Sequence, residues 1–170
     1  MTELRVWTYP DVDGARRLER RMSDGSVGDI VVTDGAIVTW MPGRASPQVR
    51  ELQGAARTDS LGVGFWGMLF GIVVSGPDLA GLTGHPTRAL DGSLTGVGVD
   101  GEVLAELRRA LLPGRSAFAV ICAEEVATVI EDGSRAEARI LRAREEVAPA
   151  STRRRLTADQ EDALRRVFCG

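Results

Sequence analysis

The sequence predicts an α+β fold built on a mostly antiparallel sheet, and three observations lead to it. Stretches with strand character alternate with amphipathic helical stretches in the order β-α-β-β, insert, α-β-α-β, α. The run DIVVTDGAIVTWM is apolar on both faces, so each side of the sheet it belongs to must be covered. From Ser60 to Pro77 the chain has 18 residues without a charge, a break in composition that marks residues 60–98 as an insertion. A chain of 170 residues buries about 70% of its unfolded surface, so a single domain over 1–170 is expected.

At the start, Leu4, Val6 and Thr8 alternate with Arg5, Trp7 and Tyr9, as in a half-buried strand. Asp11 or Asp13 can cap a helix with the apolar stripe Val12, Ala15, Leu18 and Met22. Arg16, Arg17, Arg20 and Arg21 project from its other face, and Gly25 ends it. Asp34-Gly35 reads as a type I′ turn between two strands, with Val32 facing Ile37 and Val31 facing Val38. Ile30, Val32, Ile37 and Met41 share one face of that hairpin; Val31, Val38 and Trp40 share the other. Ser46-Pro47 opens a short helix that uses Val49, Leu52 and Ala55 or Ala56.

Beyond the insertion, Asp100 caps a helix with Val103, Leu104, Leu107, Ala110 and Leu111 on one face, stopped by Pro113-Gly114. SAFAVICA is a buried strand. A helix over Glu124 to Glu131 ends at Asp132-Gly133, and Ser134 to Glu137 has the spacing to start another through Val147. The stretch RAEARILRA within it also fits a strand. Thr152–Leu156 reads as an edge strand whose Arg153, Arg154 and Arg155 discourage unwanted pairing. A capping box at Thr157-Ala158-Asp159-Gln160 launches the last helix, with Ala163, Leu164, Val167 and Phe168 inward. This order is most economically a ferredoxin-like β-α-β-β-(glycine-rich helical hairpin)-α-β sandwich with C-terminal helices.

Within the insertion, Gly67, Gly71 and Ser75 recur every four residues, which in a helix makes a smooth groove for a second backbone. Glycine in a helix costs about 1 kcal/mol relative to alanine, so the pattern needs tight packing in return. Ala80 with Gly84, Ala89 with Ser93, and Gly92 with Gly96 repeat it, giving a helical hairpin over 60–98 that turns near 75–78 or near His85-Pro86. Eighteen helical residues reach about 27 Å against a hydrocarbon core of roughly 30 Å. Asp78, His85, Arg88 and Asp91 in the second arm are expensive at a bilayer centre, which favours burial in protein over insertion in lipid.

The rest of the composition excludes more than it suggests. A net charge of −3 argues against a nucleic-acid binder. All 21 basic residues are Arg, which removes a Schiff-base or phosphate-loop lysine. The opening MTELRVWTYPDVDG lacks the pattern of a secretory signal, so a cytoplasmic location is expected. Cys122 and Cys169 make neither a disulfide framework nor a zinc site. Cys122 reads as an inert core thiol, Cys169 as an exposed one, and the single histidine, His85, as a loop residue. Gly62 to Gly67 fits G-x-G-x-x-G only on paper, because bulky apolar residues flank it and no partner acid follows. Glu124-Glu125, Glu145-Glu146 and the Arg16 to Arg21 face read as solvated surface. No catalytic constellation, metal set or cofactor site emerges.

Trp66 to Ile72 (WGMLFGI), Val97 to Asp100 (VGVD), Leu111 to Phe118 (LLPGRSAF) and Leu156 to Leu164 (LTADQEDAL) together resemble the domain of unknown function 1269 family. It is a bacterial family often labelled as predicted membrane proteins. The similarity runs over about residues 4–168 and implies an α+β fold with a glycine-rich insertion. It brings no catalytic residues. The His85-Pro86 interruption and residues 134–151 depart from the family pattern.

The leading expectation is a non-enzymatic, self-associating protein, a homo-oligomer packed through its glycine hairpin. Trp66, Gly67, Leu69, Phe70, Gly71, Val73 and Ser75 are its candidate self-association residues, and helix 157–168 is a candidate contact for a protein partner. A membrane-associated protein with 60–98 in or on the bilayer is the second expectation. An oligomer holding a small ligand such as haem through His85 is the third.

Overall fold

The structure, a computed structural model, describes residues 2–32, 34–52, 61–82, 99, 101–142 and 150–168, with residues 75–82, 136–142 and 167–168 as backbone. Their order is β1 (Thr2–Tyr9), α1 (Gly14–Ser23), β2 (Asp34–Thr39), β3 (Gln48–Glu51), α2 (Gly62–Leu82), α3 (Gly101–Ala110), β4 (Ser116–Ala123), α4 (Glu124–Arg142), β5 (Ala150–Leu156) and α5 (Ala158–Phe168). The class is α+β. The described strands form one five-stranded sheet in the order β3-β2-β4-β1-β5, and every neighbouring pair is antiparallel.

Alternation along the strands sends side chains to two covered faces. On one, Leu4, Val6, Ala36, Val38, Ala117, Ala119, Ile121 and Leu156 meet α2, α3 and α5. The alanines at 36, 117 and 119 leave room there for Trp66 and Phe70, both fully buried. On the other, Trp7, Tyr9, Ile37, Phe118 and Val120 meet Ala15 and Leu18 of α1 and Ile130 of α4. The helices thus bracket the sheet, as the doubly apolar run in 29–41 requires.

Several local expectations hold. Strand β4 covers the whole of SAFAVICA. Gly25 (φ +78) follows the end of α1 and Gly114 (φ +87) the end of α3. Val103, Leu104, Leu107 and Leu111 are buried together. The capping box forms at α5: Gln160 N donates to Thr157 Oγ1 at 3.3 Å and Thr157 N donates to Gln160 Oε1 at 2.9 Å. Asp13 takes the N-cap position of α1 without a side-chain capping bond; its own N–H donates to Asp11 Oδ1 at 2.9 Å.

Three expectations are corrected. Asp34-Gly35 is not a turn but the first two residues of β2, paired with Ile121 and Val120 of β4. Gly35 is needed for close approach: a Cβ there would lie 2.3 Å from Leu52 Cδ1. Residues 30–32 are not a strand, and Val31 is 75% exposed. The hairpin partner of β2 is instead β3, which replaces the expected helix after Ser46-Pro47. The connection includes Met41-Pro42-Gly43-Arg44, where Arg44 N donates to Met41 O at 3.2 Å and Gly43 has φ +76. Proline then glycine at those positions is the type II pattern. Finally, α4 passes through Asp132-Gly133 without a break. Gly133 faces Val27, whose Cγ1 would be 2.7 Å from an added Cβ, so this glycine serves packing rather than termination.

Candidate functional site

The glycine-rich helix α2 is fastened at its start by a buried carboxylate. Asp34, only 1% exposed, accepts the N–H of Leu61 on Oδ1 at 2.7 Å. Its Oδ2 accepts from Arg165 Nη2 of α5 at 3.1 Å. Arg165 also donates to Glu161 Oε1 at 3.1 Å, and Thr2 Oγ1 donates to Glu161 Oε2 at 2.7 Å. Asp34 therefore ties β2, the entry to α2 and the terminal helix together. Gly62, at φ +72, makes the entry turn that brings Leu61 to it.

From there α2 presents two unlike sides. Phe65, Trp66, Leu69, Phe70 and Val73 point into the chain's own core and are fully buried. The rings of Phe65 and Trp66 meet edge to face at 4.9 Å. On the outward side lie Val63, 55% exposed, then Gly64, Gly67, Gly71 and Val74. Among the described residues, a Cβ added at Gly64, Gly67 or Gly71 would meet nothing within 4 Å. A groove of about 270 Å³ runs beside them, between Ser46, Pro47 and Val49 on one side and Val63, Gly67, Gly71 and Val74 on the other, with Phe70 also reaching its wall.

The candidate self-association residues therefore divide. Trp66, Leu69, Phe70 and Val73 supply the domain core, Gly67 and Gly71 face outward, and Ser75 is described as backbone alone. Helix α2 runs without a break through residues 75–78, so the expected hairpin does not turn there; His85-Pro86 and the rest of 83–98 lie outside the described residues. In the tail helix, Leu164 is buried in the chain's own core and Arg165 is held by Asp34.

Sequence reading missed a second polar cluster on the opposite face of the sheet. Glu3, completely buried, accepts from Arg5 Nη1 at 3.0 Å and from Arg153 Nε at 2.6 Å. Arg5 Nη2 and Trp7 Nε1 both donate to Glu131 Oε2 of α4, at 2.9 and 2.6 Å. Arg153 and Arg155 both donate to Glu124 Oε1, at 2.7 and 3.0 Å. The Arg5 guanidinium also lies 5.6 Å from the centre of the Trp7 ring. The signal available was Glu3 and Arg5 alternating onto the same face as Trp7; their partners come from residues 124–155, far along the chain. Glu124, expected as a solvated acid, is held below the usual carboxylate range by the Arg153 hydrogen bond first and the nearby Arg155 charge next.

Cys122 pairs across the sheet with Glu3. Burial, and then the Glu3 charge, push its thiol up to about 12, so it stays protonated and unreactive at neutral pH. Arg17 of the α1 basic face forms a two-pronged pair with Asp11 at 3.0 and 2.9 Å, and Arg21 donates to Gly133 O at 3.0 Å. Among the described residues no cluster of three or more His, Cys, Asp or Glu could hold a metal ion. Among them, too, no helix is long and apolar enough to cross a membrane.

No curated protein and no solved structure matches the chain. One family model does, over residues 60–169, from just before α2 through α5. That span contains the glycine helix, its fastening Arg165 and the α4 acids, whereas Asp34 and β1 to β3 precede it. By that match the chain belongs to the family described as Protein of unknown function (DUF1269).

Proposed function

We propose that the protein is a non-enzymatic, self-associating protein, with the outward side of α2 as the surface that receives a second copy. The observation that carries this reading is that a Cβ added at Gly64, Gly67 or Gly71 would meet nothing within 4 Å among the described residues. Each of these glycines costs the helix about 1 kcal/mol relative to alanine. Among the described residues, no group of the same chain packs into the space they leave to offset that cost. The outward positions 63, 64, 67, 71 and 74 also lack any charged or hydrogen-bonding side chain, and a helix apolar on every side is normally covered on every side. A second α2 laid across Gly67 would bring backbones close and give Val63 of each copy a place beside Gly71 of the other.

We read the scaffold as one domain over 1–170 with 60–98 inserted between β3 and α3. Its sheet supports a ferredoxin-like reading. Strands β2, β4, β1 and β5 lie side by side in that order, and the connections through α1 and α4 each pass over one intervening strand. Strand β3 is then an addition at the edge.

The test is absolute mass by light scattering in detergent-free buffer. A discrete multiple of 18.2 kDa is expected for the natural chain, and a lower mass for Gly71→Leu, whose side chain forces the helices apart. A natural chain that runs as an 18.2 kDa monomer overturns the reading. Aggregation relieved only by detergent also overturns it, and assigns the outward face to lipid.

A further inference from the structure

Helix α2 runs from Gly62 to Leu82 and carries Pro77 in its interior. Proline has no amide hydrogen, so the carbonyl four residues earlier, that of Val73, loses its intrahelical donor. Val73 is fully buried, where an unpaired carbonyl is costly. The missing donor arrives from α3, which packs against α2. Arg108, in the last turn of α3, donates from Nε to Val73 O at 2.8 Å, and its Nη2 reaches Ile72 O at 3.5 Å. A charged guanidinium is the stronger kind of donor for this purpose. Phe65, Trp66, Leu69, Phe70 and Val73 anchor the part of α2 before Pro77 in the core.

We propose that Pro77 is a hinge in α2 and that Arg108 is the latch that holds it closed, by supplying the hydrogen bond the proline cannot make. Latched, 62–82 is one continuous helix, and α3 sets the direction in which the chain leaves the core toward residue 83. Unlatched, the helix opens at Pro77 while the part anchored by Phe65 to Val73 stays on the sheet. The device stands apart from self-association, because Val63, Gly67 and Gly71 all lie before the hinge.

The experiment is residue-resolved hydrogen exchange on the full chain, on Arg108→Met, on Pro77→Ala and on the double variant. Methionine keeps the aliphatic reach of Arg108 and removes its donors. In Arg108→Met, the amides of residues 78–82 should exchange roughly ten- to a hundred-fold faster, the loss of one charge-assisted hydrogen bond, with those of 65–72 unchanged. Alanine at 77 restores the backbone donor, so adding Arg108→Met to Pro77→Ala should leave the exchange of 78–82 unaltered. Equal acceleration in both backgrounds overturns the proposal, because Arg108 would then act by packing alone. Absence of acceleration when Arg108→Met is made in the natural chain, with Pro77 in place, overturns it as well. If Arg108→Met fails to fold, the double variant decides: a folded double variant upholds the latch and an unfolded one overturns it.

Discussion

Helices α4 and α2 cover opposite faces of the same sheet, yet they meet it with different chemistry. The α4 side is apolar at Ala127 and Ile130 but closes through charge, with Glu131 on Arg5 and Trp7 and Glu124 on Arg153 and Arg155. Its outward residues include Glu125, Asp132 and Arg135, as water demands. The α2 side meets the sheet through Phe65, Trp66, Leu69, Phe70 and Val73, and turns Val63, Gly64, Gly67 and Gly71 outward. One helix is finished as a surface. The other has the composition of an interior on both sides, and that contrast underlies the proposed contact with a second copy.

The contrast can be broken first at its two anchors, where the effects are largest. Trp66→Ala should cost about 3–5 kcal/mol through the lost burial and the cavity left behind. Arg5→Met should cost a similar ~3–5 kcal/mol, for a different reason: it leaves Glu131 and the wholly buried Glu3 each short of a cation. Urea unfolding monitored by tryptophan fluorescence measures both. Glu3→Gln added to Arg5→Met should return part of the loss, since the stranded charge is then removed, whereas no second polar change should rescue Trp66→Ala. If Arg5→Met proves nearly neutral, the α4 side is held by apolar burial alone and the contrast fails.

Glycines sharpen the same comparison with smaller effects. Gly133→Ala on α4 places a methyl 2.7 Å from Cγ1 of Val27, a stiff β-branched side chain, and should destabilise by about 1–3 kcal/mol. Gly71→Ala on α2 adds a methyl that meets nothing within 4 Å among the described residues. In a monomer it should raise stability by up to about 1 kcal/mol through helix propensity. In an assembly packed on that face, the same change should weaken association while stabilising the protomer, seen as a higher melting temperature at low concentration together with a lower mass. Identical signs at 71 and 133 would mean the two helices do not differ in how their glycines are used.

What was legible in the sequence follows from how local each cause is. The strand Ser116–Ala123 and the Thr157–Gln160 capping box depend on neighbours a few residues away, and both were readable. Asp34-Gly35 has the residues of a tight turn, but pairing with Val120 and Ile121 overrides that preference. Gly133 carries the signature of a helix end, and only Val27, more than a hundred residues earlier, explains why the helix continues. The four-residue spacing of Gly67 and Gly71 was visible, as was the bulk of Trp66 and Phe70. Spacing alone does not say which side meets the sheet, so the two sets were grouped in one contact surface although they lie on opposite sides of α2. The Glu3–Arg5 cluster escaped notice because each partner comes from a different part of the chain.

The smallest expected effect lies where the α2 side does use charge, at the junction of β1, β2 and α5. The Glu161 carboxyl is held below its ordinary 4.5 by the Thr2 hydroxyl first, with Arg165 adding to it and partial burial opposing. A carboxyl that binds its proton less tightly in the folded chain than in the unfolded one stabilises the fold at pH above 4.5. That contribution fades as the pH falls through 4.5 and toward the lowered folded value. Glu161→Gln should therefore lower stability slightly at pH 7 and flatten the stability curve between about pH 5 and pH 3. Added salt should shrink the difference, since Arg165 and Glu161 are both partly exposed. Asp34 accepts from the same Arg165 while almost wholly buried, so Asp34→Asn should cost far more than Glu161→Gln and loosen α2 and α5 together. If the two variants lose equal stability, the junction is a surface ion pair and not the fastening of the glycine helix.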